Sequence, residues 1–176
     1  MTLKKIKIWG VILAFVFCFG LHFLYDFLPN FLTSVIAPVN ESIWEHMKIL
    51  FGSIMLSSVV QKIIAHQKKL EFNNLFFSNF VGALLAIPIF LIIYLPIYYI
   101  IFENMVVSIT VMFVTLVISQ IISYKIMEKE PLHLEKLTIL LVFLVYLVFG
   151  IFTYYPLEND LFYDKKNEVY GIEKSQ

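Results

Sequence analysis

The chain contains no arginine: all thirteen of its basic residues are lysines. Alongside abundant Ile, Phe, Asn and Tyr, that absence reads as AT-rich coding, not as avoidance of guanidinium chemistry. Charge of either sign is scarce, at 15% of residues against roughly a quarter in a soluble domain. The net charge is zero, which implies no nucleic acid or other polyanion as partner. A single cysteine, Cys18, excludes an intramolecular disulfide, and its apolar setting reads as that of a small buried hydrophobe. No small-x-small cleavage site follows the N-terminal "MTLKKIKIWGVILAFVFCFG", so this stretch is expected to be a retained signal-anchor helix. There is no internal repeat, no low-complexity segment and no H-E-x-x-H metal motif.

What the chain has is apolar length. Hydrophobic residues make up 60% of 176 positions, and the mean hydropathy is +0.85. A bilayer core requires about 20 apolar residues in a helix, and five stretches meet that length: about 8–28, 43–65, 75–102, 105–126 and 137–155. The expected fold is therefore all-α, a bundle of five transmembrane helices whose partner is the lipid bilayer. Residues 156–176 follow as a polar tail, too aromatic for plain disorder and able to fold back with Glu158 or Asp160. Lysines cluster before the first span, after the second and between the fourth and fifth. By the positive-inside rule the N-terminus is cytoplasmic and the tail extracytoplasmic, consistent with a multi-pass protein of the bacterial cytoplasmic membrane.

Against this background one polar cluster stands out. His22 and Asp26 fall at the outer end of the first span, spaced i, i+4 and so on one face. Glu41, Glu45 and Lys48 share a stripe at the start of the second span, with Ser42 and His46 on the adjacent stripe. A structural account covers part of this. Ser42 and Glu45 form a capping box, Trp44 suits the interfacial belt, and Lys48 can pair with Glu45. His22, Asp26 and His46 need another account. Two imidazoles and nearby carboxylates can hold a divalent metal such as zinc. The metal ligands would be His22, Asp26 and His46, with Glu41 or Glu45 as general base, on a lipid or small amphiphile. The same groups could instead couple a cation or proton to solute transport, or form a buried network in a structural or immunity-type partner protein. The loop from Pro29 to Asn40 is apolar enough to lie in the interface or re-enter above the cluster.

The stretches "HFLYDFLP", "SVIAPVNESIWEHMKILF" and "LFYDKKNEVYGI" together resemble a family of small bacterial multi-pass membrane proteins of unknown function, marked by an N-E-S-[VI]-W-E-H run. The matching positions are Asn40, Glu41, Ser42, Trp44, Glu45, His46 and Lys48, with His22 upstream; Ala37 stands where that family carries Ser. The resemblance implies a membrane protein with a polar site at these residues and brings no activity with it.

Overall fold

A computed structural model describes residues 2–101 and 104–172 of the chain. Phe102, where the third span is expected to end, the turn residue Glu103, and Lys174 of the tail lie outside the described residues. Seven helices and a two-stranded hairpin follow in order: α1 (Leu3–His22), α2 (Leu24–Phe27), α3 (Phe31–Ile36), α4 (Ile43–Gln67), α5 (Leu75–Ile101), α6 (Met105–Met127), α7 (Glu135–Tyr154), β1 (Tyr163–Asp164) and β2 (Val169–Tyr170). Five of them, α1, α4, α5, α6 and α7, are long and apolar enough to cross a membrane.

The helix starts follow local side-chain chemistry. Thr2, Asn30, Ser42 and Asn104 each sit at an N-cap in extended backbone and accept a hydrogen bond from the N–H three residues on, satisfying one of the orphan donors of a first turn. At α3 the cap is reciprocal, Thr33 returning a bond to the Asn30 N–H. That short helix is what the apolar Pro29–Asn40 loop becomes. Phe31 and Leu32 face outward on it, 73% and 66% exposed, as an interfacial helix would.

α4 is the hub. Of its most apolar stretch 61% is buried, against 17–33% for the other four long helices. α1 packs on one side of it and α5 on the other; α6 closes against both α1 and α5, and α7 lies alongside α5 and α4 with α3 laid across it. α5 and α6 approach closely at Gly82, where a Cβ would meet the Ser119 backbone carbonyl oxygen at 2.9 Å; small residues at such crossings let helix backbones meet. Large apolar side chains such as Ile92, Phe143 and Val16 point outward, toward what would be acyl chains.

The half of the bundle nearest the N-terminus holds an unusual polar core. Lys7, which the sequence groups with Lys4 and Lys5 as a flanking charge, is buried. Its ammonium donates to Asn79 Oδ1 at 3.0 Å and to the Ser123 hydroxyl. Gln120 also donates to Asn79 Oδ1, and Ser123 to Ser78. The lysine has no carboxylate among its hydrogen-bonding partners in the described residues.

Candidate metal centre

At the other end of the bundle, α1 stops at His22 because Phe23 leaves helical geometry, with φ −98° and ψ −1°. The chain resumes as the single turn α2 and then α3, and this returns it to the start of α4. His22 at the end of α1, Glu41 just ahead of α4 and His46 one turn into α4 are thereby brought together. Their ligand atoms all lie within 4.8 Å of one another. Glu41 bridges the pair: Oε1 is 3.9 Å from His22 Nε2 and Oε2 is 3.5 Å from His46 Nε2. The two imidazoles are 5.5 Å apart between centroids. All three side chains are half-buried.

His46 is oriented from behind. Its Nδ1 lies 2.9 Å from the Ser42 carbonyl and donates to it, so Nε2 is the nitrogen that faces Glu41. A backbone carbonyl behind a histidine is the usual means of fixing the tautomer of a metal ligand. A tetrahedral metal site with bonds near 2.05 Å spaces its donors about 3.3 Å apart. The separations here are wider, 3.9 and 3.5 Å from Glu41 to the two histidines, with all three donors inside 4.8 Å. Two His and one carboxylate form one of the zinc sets that leave a fourth position open.

The remaining residues expected at the site divide as follows. Asp26 is exposed on α2 and is not among the converging atoms, because the break at Phe23 interrupts the i, i+4 register with His22. Glu45 points the other way and is engaged elsewhere. Its Oε2 accepts from Lys48 Nζ at 2.6 Å and from the Val39 N–H at 3.0 Å, and its Oε1 from the Thr153 hydroxyl at 2.9 Å. Lys48, fully buried, also donates to the Ser34 and Ala37 carbonyls. This ion pair ties α3, α4 and α7 together and lies under α3. Ser42 caps α4 and supplies the carbonyl behind His46. Asn40 accepts from the Ser42 N–H and donates to the Gly171 carbonyl, linking α4 to the tail.

The tail supplies what sequence reasoning missed. Residues 156–172 fold back over the start of α4. The Trp44 ring stacks on Phe162 at 4.7 Å, and the Trp44 backbone N–H donates to the Leu161 carbonyl. The residue that reaches the site is Asp164, where Glu158 or Asp160 was the expectation. Buried on β1, it accepts from the Glu41 N–H at 2.9 Å, from the Lys166 and Asn167 N–H groups and from the Asn167 side chain. Burial alone would raise the Asp164 carboxyl; those donors outweigh it and hold the group below its ordinary value. The legible signal was Asp164 followed three residues later by Asn167, an Asx-type turn inside "YDKKNEVYG". Gly171 closes the fold at φ +60°, where a Cβ would come within 2.4 Å of the Thr153 carbonyl oxygen.

These elements span the entire matched region of one family. The chain belongs to DUF6512, a family of unknown function. The family's model matches residues 1–172, from the first span through the hairpin. No curated protein and no solved structure matches, so the chemistry rests on the side chains themselves.

Two cavities meet at Glu41 and His46, and His22 lines the larger of them. The larger, about 600 Å³, runs between α1, α4, α5 and α6. His22, Glu41, His46 and Lys166 form its polar end, and Phe19, Leu50, Phe90 and Met112 are among its apolar walls. The smaller, about 60 Å³, is lined by Glu41, His46, Tyr94, Tyr98, Ser108, Asp164 and Lys165. Ile43, Phe90 and Tyr163 complete its lining, which is mixed polar and apolar, and it has room for a few waters. Lys165 sits over the Tyr98 ring at 4.9 Å and closes one side.

Proposed function

We propose that this chain is a membrane-embedded, metal-dependent hydrolase acting on a lipid or small amphiphile. The observation that carries this reading is the meeting, at Glu41 and His46, of a large apolar chamber with a small, water-sized one of mixed lining. A hydrolase needs that junction: a seat for an apolar substrate on one side and a source of water on the other. His22 and His46 would hold the metal through Nε2, and Glu41 through one oxygen. Glu41 also lines the smaller chamber, and its other oxygen would take the proton of an attacking water. Zinc, the metal that best suits this donor set, would supply Lewis acidity and lower the pKa of that water to about 7. Glu45 takes no part in this scheme, its oxygens being held by Lys48, Val39 and Thr153; Asp26 contributes charge from the solvent side. Following the lysines, we place the centre at the outer leaflet of a bacterial cytoplasmic membrane, with the N-terminus inside.

A second reading, ion-coupled transport through the same groups, is favoured by the buried polar network around Lys7 in the opposite half of the bundle. Ionisable side chains in such positions commonly mark ion or proton routes.

The deciding experiment is elemental analysis of protein purified without chelator. About one zinc per chain is expected, falling to background in His22→Ala and His46→Ala and strongly reduced in Glu41→Gln. Wild-type protein that holds no transition metal, even after incubation with zinc, overturns the hydrolase reading.

A further inference from the structure

The larger cavity has a composition and a boundary that point to its occupant. Its volume of about 600 Å³ falls in the range of sites that enclose a whole small ligand. Apart from its polar end, its walls are almost wholly apolar. Three of the lining residues, Phe19, Phe23 and Met105, are also exposed on the outside of the bundle, at 44%, 47% and 75%. They belong to α1, the break that follows it, and the start of α6. Exposed apolar side chains of α1, the break after it and the start of α6 thus border the chamber. The polar end carries one cation, Lys166, on the hairpin of the tail. It lines the chamber together with His22 and Glu41, and the side chain is exposed, with no ion-pair partner among the described residues.

We propose that the chamber admits a bilayer lipid with an anionic, phosphate-type headgroup, sliding in between α1 and α6, its chain against Phe90 and Met112 and its headgroup between Lys166 and the His22–Glu41–His46 cluster. The inference rests on the metal-centre reading only for the inner seat of the headgroup. A divalent ion with one carboxylate leaves net positive charge there, and Lys166 adds to it. Neutral zwitterionic lipid fits the walls equally well and gains nothing from that field. A water-soluble phosphate gains the field and nothing from the walls.

Native mass spectrometry of the detergent-purified protein with equimolar phosphatidylglycerol and phosphatidylcholine tests this. Wild type is expected to retain one phosphatidylglycerol, in preference by roughly an order of magnitude, equivalent to about 1.4 kcal/mol. Lys166→Glu, at an exposed position, should bring the preference close to unity. Met112→Trp and, separately, Ile109→Trp should each exclude lipid by filling the chamber from α6; two variants guard against one misfolding. His22→Ala should lose metal yet still retain lipid, so a failed metal reading and a failed lipid reading give different results. Equal retention of both lipids, unchanged retention in both tryptophan variants, or displacement of the lipid by millimolar inorganic phosphate would each overturn the proposal.

Discussion

The carboxylate of Asp164 accepts a hydrogen bond from the backbone N–H of Glu41 at 2.9 Å, across 123 positions of sequence. Glu41 is the residue that bridges the two histidines, so the tail holds the backbone from which the bridging side chain projects. Asp164 is a positioning residue: it touches neither histidine through any hydrogen bond or ion pair and acts through Glu41. Asp164→Ala should undock the hairpin, leave the Glu41 N–H without its partner and cost about 1–3 kcal/mol. The expected signature is weakened zinc retention together with a lower unfolding temperature. Asp164→Asn, which still accepts from Glu41 but loses the charge, should retain more metal than Asp164→Ala. Identical metal content in wild type and Asp164→Ala would refute the positioning role.

Acid should release the tail before it unfolds the bundle. The Asp164 carboxyl is held below its ordinary value of 3.8 by its four donors, against the opposing effect of burial. A group whose folded pKa is depressed contributes stability above its unfolded pKa, and that contribution fades as pH falls through the folded value. Docking should therefore persist down to about pH 4 and weaken below it. Trp44, stacked on Phe162, reports the event by fluorescence in a Trp9→Phe background. An unchanged acid transition in Asp164→Asn would assign it to another group.

Glu41 and Glu45 should separate cleanly. Glu41→Gln is expected to lose metal with little loss of stability, because its side chain is half-exposed and holds no other partner. Glu45→Gln is expected to cost about 3–5 kcal/mol, the consequence of removing one member of a buried ion pair, since Lys48 is fully buried. Below its unfolding temperature that variant should keep its zinc. Paired thermal-shift and metal measurements decide this; a Glu45→Gln protein that is stable but metal-free would move Glu45 into the centre.

Lys7 offers a sharper test of the opposite half. Lys7→Met removes a buried cation that has no carboxylate among its hydrogen-bonding partners. Asn79 Oδ1 keeps its bond from Gln120 at 3.1 Å, and the Ser123 hydroxyl loses the bond it accepts from Lys7 but still donates to Ser78. Replacement of buried charge by a well-packed apolar chain is often neutral or stabilising by about 1–4 kcal/mol. Thermal unfolding of Lys7→Met should be unchanged or raised, whereas Lys7→Glu should be strongly destabilised. A sharp drop in Lys7→Met would show that the ammonium itself is required there.

The five apolar helices were readable from the chain because a spanning helix announces itself by length and hydropathy alone. The coming together of His22, Glu41 and His46 was partly readable, since one short connection joins α1 to α4 and puts all three at one end. The distribution of roles among the acids was not. Glu41 and Glu45 look interchangeable in "NESIWEH"; what separates them is Lys48, Thr153 and the Val39 N–H, and all three lie outside that motif. Asp26 looks like a partner of His22 only while the helix is taken as continuous through Phe23. Asp164 depended on where the tail lands, which no local pattern states. Lys7 was counted with the flanking charges because sequence does not reveal that Asn79 and Ser123 wait beside it.

The hairpin also sets an order of assembly. Asp164 and Lys166 come late in translation, after α7, so the chamber acquires its charged rim only once every long helix is in place. A chain interrupted before the hairpin would carry both histidines and still lack the contact that steadies Glu41. An affinity tag placed at the N-terminus would therefore disturb the His22–Glu41–His46 cluster less than one fused behind Gly171.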